Sequence, residues 1–256
     1  MAAFVTMIYR QFMRFLRSRS RVIGMIINPL IWIIFFGLGW SKVFDNPWAK
    51  MMFGGVDYLT YLAPGIFAMT VFNMSFISGV SLIWDKQFGF FKEVLVAPSS
   101  RRLSITGRIV GDAIVTVLQG LIILVFNYFL AESLKISGLL PALAVGFLMS
   151  VTIASFGIAL ALKMESTEGF QMIMMTLMMP LVFLSGAMYP IDSMPNWMKA
   201  LAYINPLTYA VDASRGYLVG EKVMKFSFGL DWGILSILML VGLILAMESF
   251  ERARIS

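Results

Sequence analysis

General acid–base and metal chemistry lean on His, Cys or paired carboxylates, and this sequence of 256 residues contains no His and no Cys. It therefore lacks the commonest general base, the commonest metal ligand, any thiolate nucleophile and any disulfide framework. Carboxylates are few within its apolar stretches. Asp112 stands out because it follows Arg108 by four residues, a spacing that lets two side chains pair on one helix face. A charge inside a membrane segment reads by default as a proton or substrate site. Neutralisation by Arg108 near the end of a span is the simpler reading and is preferred. Asn28, Asn73, Gln119, Asn127 and Gln171 are further polar candidates, and interhelical hydrogen bonding accounts for each as well as ligand binding does. The run QMIMMTLMMP, residues 171–180, offers soft, flexible side chains suited to adaptable apolar surfaces. With no His or Cys near it, packing is a better reading than a copper site. The remaining ligand reading is a lipid-like or drug-like path lined by Asn28, Asn73, Gln171 and Met175.

Two other segments combine charge, aromatic residues and proline. In FGFFKEVLVAPSSRR, residues 88–102, a helical wheel from Lys86 to Ala97 puts Phe88, Phe90, Phe91, Val94 and Leu95 on one arc. Lys86, Gly89, Lys92 and Glu93 take the opposite arc, with Gln87 and Val96 as exceptions. Pro98 stops the helix, and Ser99 and Ser100 turn the chain into Arg101 and Arg102. Two readings fit this pattern equally: an interfacial helix whose Lys and Arg snorkel to headgroups, or a docking element offering Lys86, Lys92 and Glu93 to a soluble partner. The second segment, NPLTYAVDASRGYLVG, residues 205–220, starts with Asn-Pro, a helix cap followed by proline at the first helical position.

The elements that must carry these segments follow from composition. With 59% hydrophobic and 13% charged residues, the chain departs from soluble domains, which carry roughly 25% charged residues. A net charge of +6 fits basic residues flanking membrane spans better than nucleic-acid binding. Apolar runs of about 20 residues cross a bilayer. Six are expected, at about 22–42, 59–83, 104–131, 138–162, 169–189 and 231–250. Six spans put both termini on one side. Thirteen of the twenty Lys and Arg fall on that side, which makes it the cytoplasmic one. Residues 3–19 read as an amphipathic helix rather than a signal peptide. Phe4, Val5, Ile8, Phe12, Phe15 and Leu16 share one face; Arg10, Arg14 and Arg17 share the other, with Met7 the exception. Such a helix suits the plane of the membrane interface, the alternative being a basic flank of the first span. Residues 192–220 read as two short helices forming a re-entrant or interfacial hairpin on the outer side. Chain 1–256 is thus expected to be a single all-α polytopic membrane domain.

KEVLVAPSSRR resembles the cytoplasmic loop of ABC-2 type exporter permeases, in particular the drug-resistance (daunorubicin-exporter-like) branch, through Glu93, Leu95, Ala97 and Pro98. Asn205, Pro206, Tyr209, Asp212 and Arg215 are similar to that family's pattern before the last span. The resemblance implies that residues 86–97 form a coupling helix. Lys86, Phe88, Phe91, Lys92, Glu93, Leu95, Pro98 and Arg101 would dock an ATP-binding subunit, and the outer hairpin would act as a gate. It also implies two copies of that subunit, which would bind ATP and Mg, and a second permease copy, with a homodimer expected. The chain contains no G-x-x-x-x-G-K-[ST] phosphate loop and is expected to hold no cofactor and catalyse no covalent chemistry itself. Export of a hydrophobic or amphipathic substrate across the cell membrane is the resulting expectation. A lipid-modifying membrane enzyme needs converging catalytic side chains, and an ion-coupled carrier needs charges at mid-membrane; neither is found in the sequence.

Overall fold

In the computed structural model the described residues are 2–18, 23–24, 27, 30–31, 33–44, 46–131 and 133–253. Asn28, Pro29, Arg19 and Arg21 lie outside them. The described chain is helical, as hydrocarbon requires of backbone that must satisfy its own hydrogen bonds. In order it forms α1 (Ala2–Leu16), a π-helical turn (Ile33–Leu38), α2 (Pro47–Met52), α3 (Tyr58–Gln87), α4 (Phe90–Val96) and α5 (Arg101–Leu130). These are followed by α6 (Leu139–Ala161), α7 (Thr167–Leu184), α8 (Asn196–Ile204), α9 (Pro206–Leu218) and α10 (Phe228–Glu251).

Polar caps set the helix starts. Asp57 accepts from the Thr60 N–H at 2.9 Å to open α3, Ser166 accepts from the Gly169 N–H at 2.9 Å to open α7, and Asn46 does the same for α2. Five helices among the described residues are long and apolar enough to cross a membrane: α3, α5, α6 with its preceding turn, α7 and α10. They match the second to sixth expected spans to within a few residues. The first expected span, 22–42, is described only in part. α7 ends at Leu184 rather than at 189 because Gly186, at φ 74°, turns the chain away.

α3 is the central element, with 78% of its most apolar stretch buried; the corresponding values for α7 and α10 are only 17% and 22%. One core joins α3, α6 and α9 around Leu62, Phe67, Met149 and Leu207. A second, at the opposite end of α3, gathers Leu82, Ile83, Phe91, Leu95, Ile105 and Phe250 from α3, α4, α5 and α10. α1 lies directly on α5. A Cβ on Gly107 would come within 2.6 Å of the Phe4 carbonyl oxygen, and one on Gly111 within 2.9 Å of Ile8 Cα. Small residues at these two positions are what allow the backbones to touch.

Candidate functional site

The aromatic-basic segment folds differently at its start from the wheel expectation. Lys86 and Gln87 finish α3, Gly89 takes φ 85°, and only then does α4 begin. Lys86 therefore does not face outward with Lys92 and Glu93. Its Nζ donates to the carbonyls of Met164 at 2.8 Å and Leu162 at 3.3 Å, where a cation meets the C-terminal end of α6. Phe88 leaves the apolar arc and is 85% exposed, because the glycine turn separates it from the helix. Phe91 and Leu95 do anchor α4 in the second core, Phe91 meeting Phe250 edge-on at 5.5 Å. Lys92, Glu93 and Val96 project from that anchored helix, and Phe88 and Pro98 are exposed on either side of it. Arg101 donates to the Glu251 carbonyl at 3.2 Å, so it ties α5 to the end of α10. Arg102 holds the Glu251 carboxylate through two bonds of 2.7 and 3.0 Å.

Directly behind α4 lies a charge cluster that the sequence did not reveal. Asp85, buried in the last turn of α3, receives Arg10 Nη2 at 2.8 Å, Arg10 Nη1 at 3.2 Å and Arg14 at 3.5 Å from α1. Arg108 of α5 closes the cluster on Asp85 Oδ2. Ser81, one turn earlier, accepts from Arg14 at 2.6 Å and Arg108 at 2.9 Å. The Arg10 guanidinium also sits 3.6 Å from the centre of the Phe90 ring, so the cluster touches α4 itself. Two expectations are corrected. The Arg face of α1 is not simply turned to headgroups: Arg10 and Arg14 reach inward to the buried carboxylate, while Arg17 is exposed. Arg108 bonds Asp85 and Ser81, and Asp112 instead accepts from Ser78. A buried carboxylate recruits guanidiniums across helices more strongly than a half-exposed neighbour one turn away. The one irregularity in the α1 wheel, Met7 on the Arg side, was the available signal, since Met7 and Gln11 are buried.

The hairpin α8–α9 follows the expected pattern. Asn205 accepts from the Leu207 N–H at 3.0 Å to start α9 and donates through Nδ2 to the Leu181 carbonyl at 2.6 Å. One side chain thus caps the beginning of α9 and one of the last, otherwise unpartnered, carbonyls of α7. Pro206 occupies the first position of α9, and the Tyr209 hydroxyl donates to the Tyr203 carbonyl. Asp212 accepts the Lys225 N–H at 2.7 Å and the Phe226 N–H at 2.8 Å, pinning the following loop. Burial pushes the Asp212 carboxyl above the usual carboxylate range, against the pull of those two N–H groups. Arg215 is buried, donates to the carbonyls of Gly186 at 3.0 Å, Ala187 at 3.3 Å and Tyr61 at 3.4 Å, and lies 3.8 Å from the centre of the Tyr61 ring. It joins the hairpin to the start of α3 and the end of α7.

Of the four residues read as a substrate path, Asn73 and Met175 meet at a 490 Å³ cavity between α3 and α7, together with Met69, Met178 and Met179. Gln171 is exposed outside it, and Asn28 lies outside the described residues. Asn73 Oδ1 is buried with no hydrogen-bond partner among the described residues.

A bundle of membrane-length helices, an anchored surface helix with a charge cluster behind it, and a pinned hairpin before the last helix together define a polytopic membrane protein. Residues 2–219 match the ABC-2 type transporter family, and the chain belongs to it. The chain is 31% identical over 254 residues to the putative transport permease ycf38 of Cyanophora paradoxa, covering 93% of this chain and 86% of that protein. It is 27% identical over 229 residues to the daunorubicin resistance ABC transporter permease protein DrrB1 of Streptomyces coeruleorubidus, covering 86% and 76%. Identity to the probable multidrug ABC transporter permease YbhR of Escherichia coli (strain K12) is 22% over 184 residues, covering 71% and 50%.

Proposed function

We propose that this chain is the membrane-spanning permease subunit of an ATP-driven exporter and that α4 docks a separate ATP-binding subunit. The observation that carries the reading is the construction of α4. Phe91 and Leu95 fix it to the bundle, Phe88, Lys92, Glu93 and Pro98 face away, and Arg10 links it to the Asp85 cluster. A helix fixed in this way passes a push from a soluble partner into α1, α3 and α5 together. Both termini and α4 are cytoplasmic in this reading, α8–α9 gates the outer side, and ATP and Mg belong to the partner. Two ATP-binding subunits serve two permease copies, with an identical copy as the second permease. The poorly buried faces of α7 and α10 leave room for it. The α3–α7 cavity lies within the usual range of about 300–1,000 Å³ for small-molecule sites and suits a hydrophobic or amphipathic substrate.

The test is co-purification with the ATP-binding subunit encoded nearest this gene. A Phe88→Asp, Glu93→Arg double variant changes only exposed side chains and should melt like the wild type while losing the partner, by about tenfold or more. Equal retention of the partner by both proteins would overturn the docking assignment.

A further inference from the structure

We propose that the groove between α1 and α4 binds the anionic, phosphate-bearing headgroup of a membrane lipid. The groove measures 1060 Å³. α1 and the Ser18 that follows it form one wall, α4 and residues 97–99 form the other, and Ser104 of α5 completes the lining. Arg10, Arg14 and Arg17 all line it, and no Asp or Glu does among the described residues. Arg10 and Arg14 also pair with Asp85, which Arg108 shares. With Asp112 counted as well, the neighbourhood holds four guanidiniums (Arg10, Arg14, Arg17 and Arg108) and two carboxylates, a surplus of two positive charges. Arg17 is exposed, and its side chain has no partner among the described residues. A guanidinium presents a planar fork of donors that matches phosphate oxygens in pairs. The hydroxyls of Thr6 and Tyr9 lie along the same wall and add further donors.

The level of the groove in the bilayer favours lipid over a soluble phosphate or a protein segment. The charged residues of α5, Arg101, Arg102, Arg108 and Asp112, all fall in its first part, and residues 113–130 carry no charge. That uncharged part rises about 27 Å at about 1.5 Å per residue, close to the roughly 30 Å of hydrocarbon in a bilayer. The charged part therefore stands at headgroup level. It is also the part that α1 covers, with Phe4 against Gly107 and Ile8 against Gly111. α1 carries an apolar stripe turned away from the protein as well. Val5, Tyr9 and Leu16 are 62%, 60% and 52% exposed, and at about 100° per residue they fall within about 40° of one another. Apolar side chains beside guanidiniums at this depth suit the acyl chains and phosphates of one leaflet. The surplus of positive charge selects a lipid with net negative charge over a zwitterionic one. The site does not rest on the docking role of α4, since Pro98 is the one proposed docking residue that also lines the groove.

Titration of lipid onto the purified full chain, read by native mass spectrometry, tests the site, with phosphatidylglycerol as probe and phosphatidylcholine as the zwitterionic comparison. The first phosphatidylglycerol should bind at least about fivefold more tightly than the first phosphatidylcholine, the scale of one basic residue at an anionic surface. Arg17→Gln removes an exposed charge without a partner, so it should lose about fivefold of the phosphatidylglycerol affinity while melting like the wild type. Thr6→Glu, at an exposed position on the same wall, should lose at least as much. Lys163→Gln removes an exposed cation after α6, at the same end of the bundle as Lys86, and should change neither lipid's binding. Equal binding of the two lipids, or a loss in Lys163→Gln as large as that in Arg17→Gln, would mean diffuse attraction to surface charge and would overturn the site. Displacement of the bound lipid by an equal concentration of glycerol 3-phosphate would overturn the lipid as the source of the phosphate. The chain has no cysteine of its own, so a Thr6→Cys variant carries a single cross-linking point in the groove. Its cross-linking to a co-expressed ATP-binding subunit, with loss of bound phosphatidylglycerol, would overturn the proposal in favour of a protein occupant.

Discussion

Asp85→Ala should destabilise this protein more than any other single substitution at the charge cluster. Removing one partner of a buried ion pair costs about 3–5 kcal/mol, because the opposite charge stays behind without compensation. Here three guanidiniums converge on one carboxylate, and Arg108 is itself buried. The substitution therefore leaves an uncompensated cation in the bundle and frees α1 from α3. Thermal melting of the purified protein should fall sharply, and proteolysis should cut near α1 first. A double-mutant cycle makes the prediction specific. Arg108→Leu in the Asp85→Ala background removes the stranded charge and should recover part of the loss, so that the two substitutions are strongly non-additive. Additive losses, or an unchanged melting temperature in Asp85→Ala, would show that the cluster does not hold α1.

Arg215→Ala is expected to have the second largest effect, and a more local one. Hydrogen bonds from a charged group contribute about 1.5–3 kcal/mol each, with losses that do not simply sum. Arg215 makes three to carbonyls on two other segments and rests on Tyr61. Its loss leaves the carbonyls of Gly186 and Ala187 without their guanidinium donor and unties α9 from α3 and α7. Hydrogen exchange should quicken over residues 185–218 while the second core, around Phe91 and Phe250, keeps its protection. Arg215→Lys discriminates further. An ammonium cannot reproduce a planar fork that reaches three carbonyls, so it should behave much nearer to alanine than to arginine. Wild-type exchange in the lysine variant would show that charge alone suffices at this position.

Membrane length constraints made the long helices legible: only apolar runs of about 20 residues can span hydrocarbon, and each such run in the described chain is a helix. The hairpin was equally legible, since Asn205-Pro206 is a local start signal and acts as one. The candidate site was read less completely, and for physical reasons. The expected second span stops at residue 83, where the apolar run fades, so Asp85 drew no reading of its own, yet α3 continues to Gln87. Its partners lie on two other helices, and no local period encodes that meeting. Arg108 and Asp112 satisfy the helix-pair spacing, but tertiary partners outcompeted it. Phe88 was placed in the apolar arc by a wheel that ran through Gly89 without a break. A glycine at φ 85° is where that wheel should have been cut.

The Asp85 cluster also constrains how the chain enters the membrane. Arg10 precedes Asp85 by 75 positions and Arg108 follows it by 23. During synthesis the carboxylate therefore reaches the bilayer when α1 and its two arginines already exist, and it is fully enclosed only once the next membrane helix has emerged. A nascent chain stalled between residues 85 and 108 has Arg10 and Arg14 to pair with Asp85 but lacks Arg108, which closes the cluster from α5. Only with α5 complete does the cluster join α1, α3 and α5 into one unit.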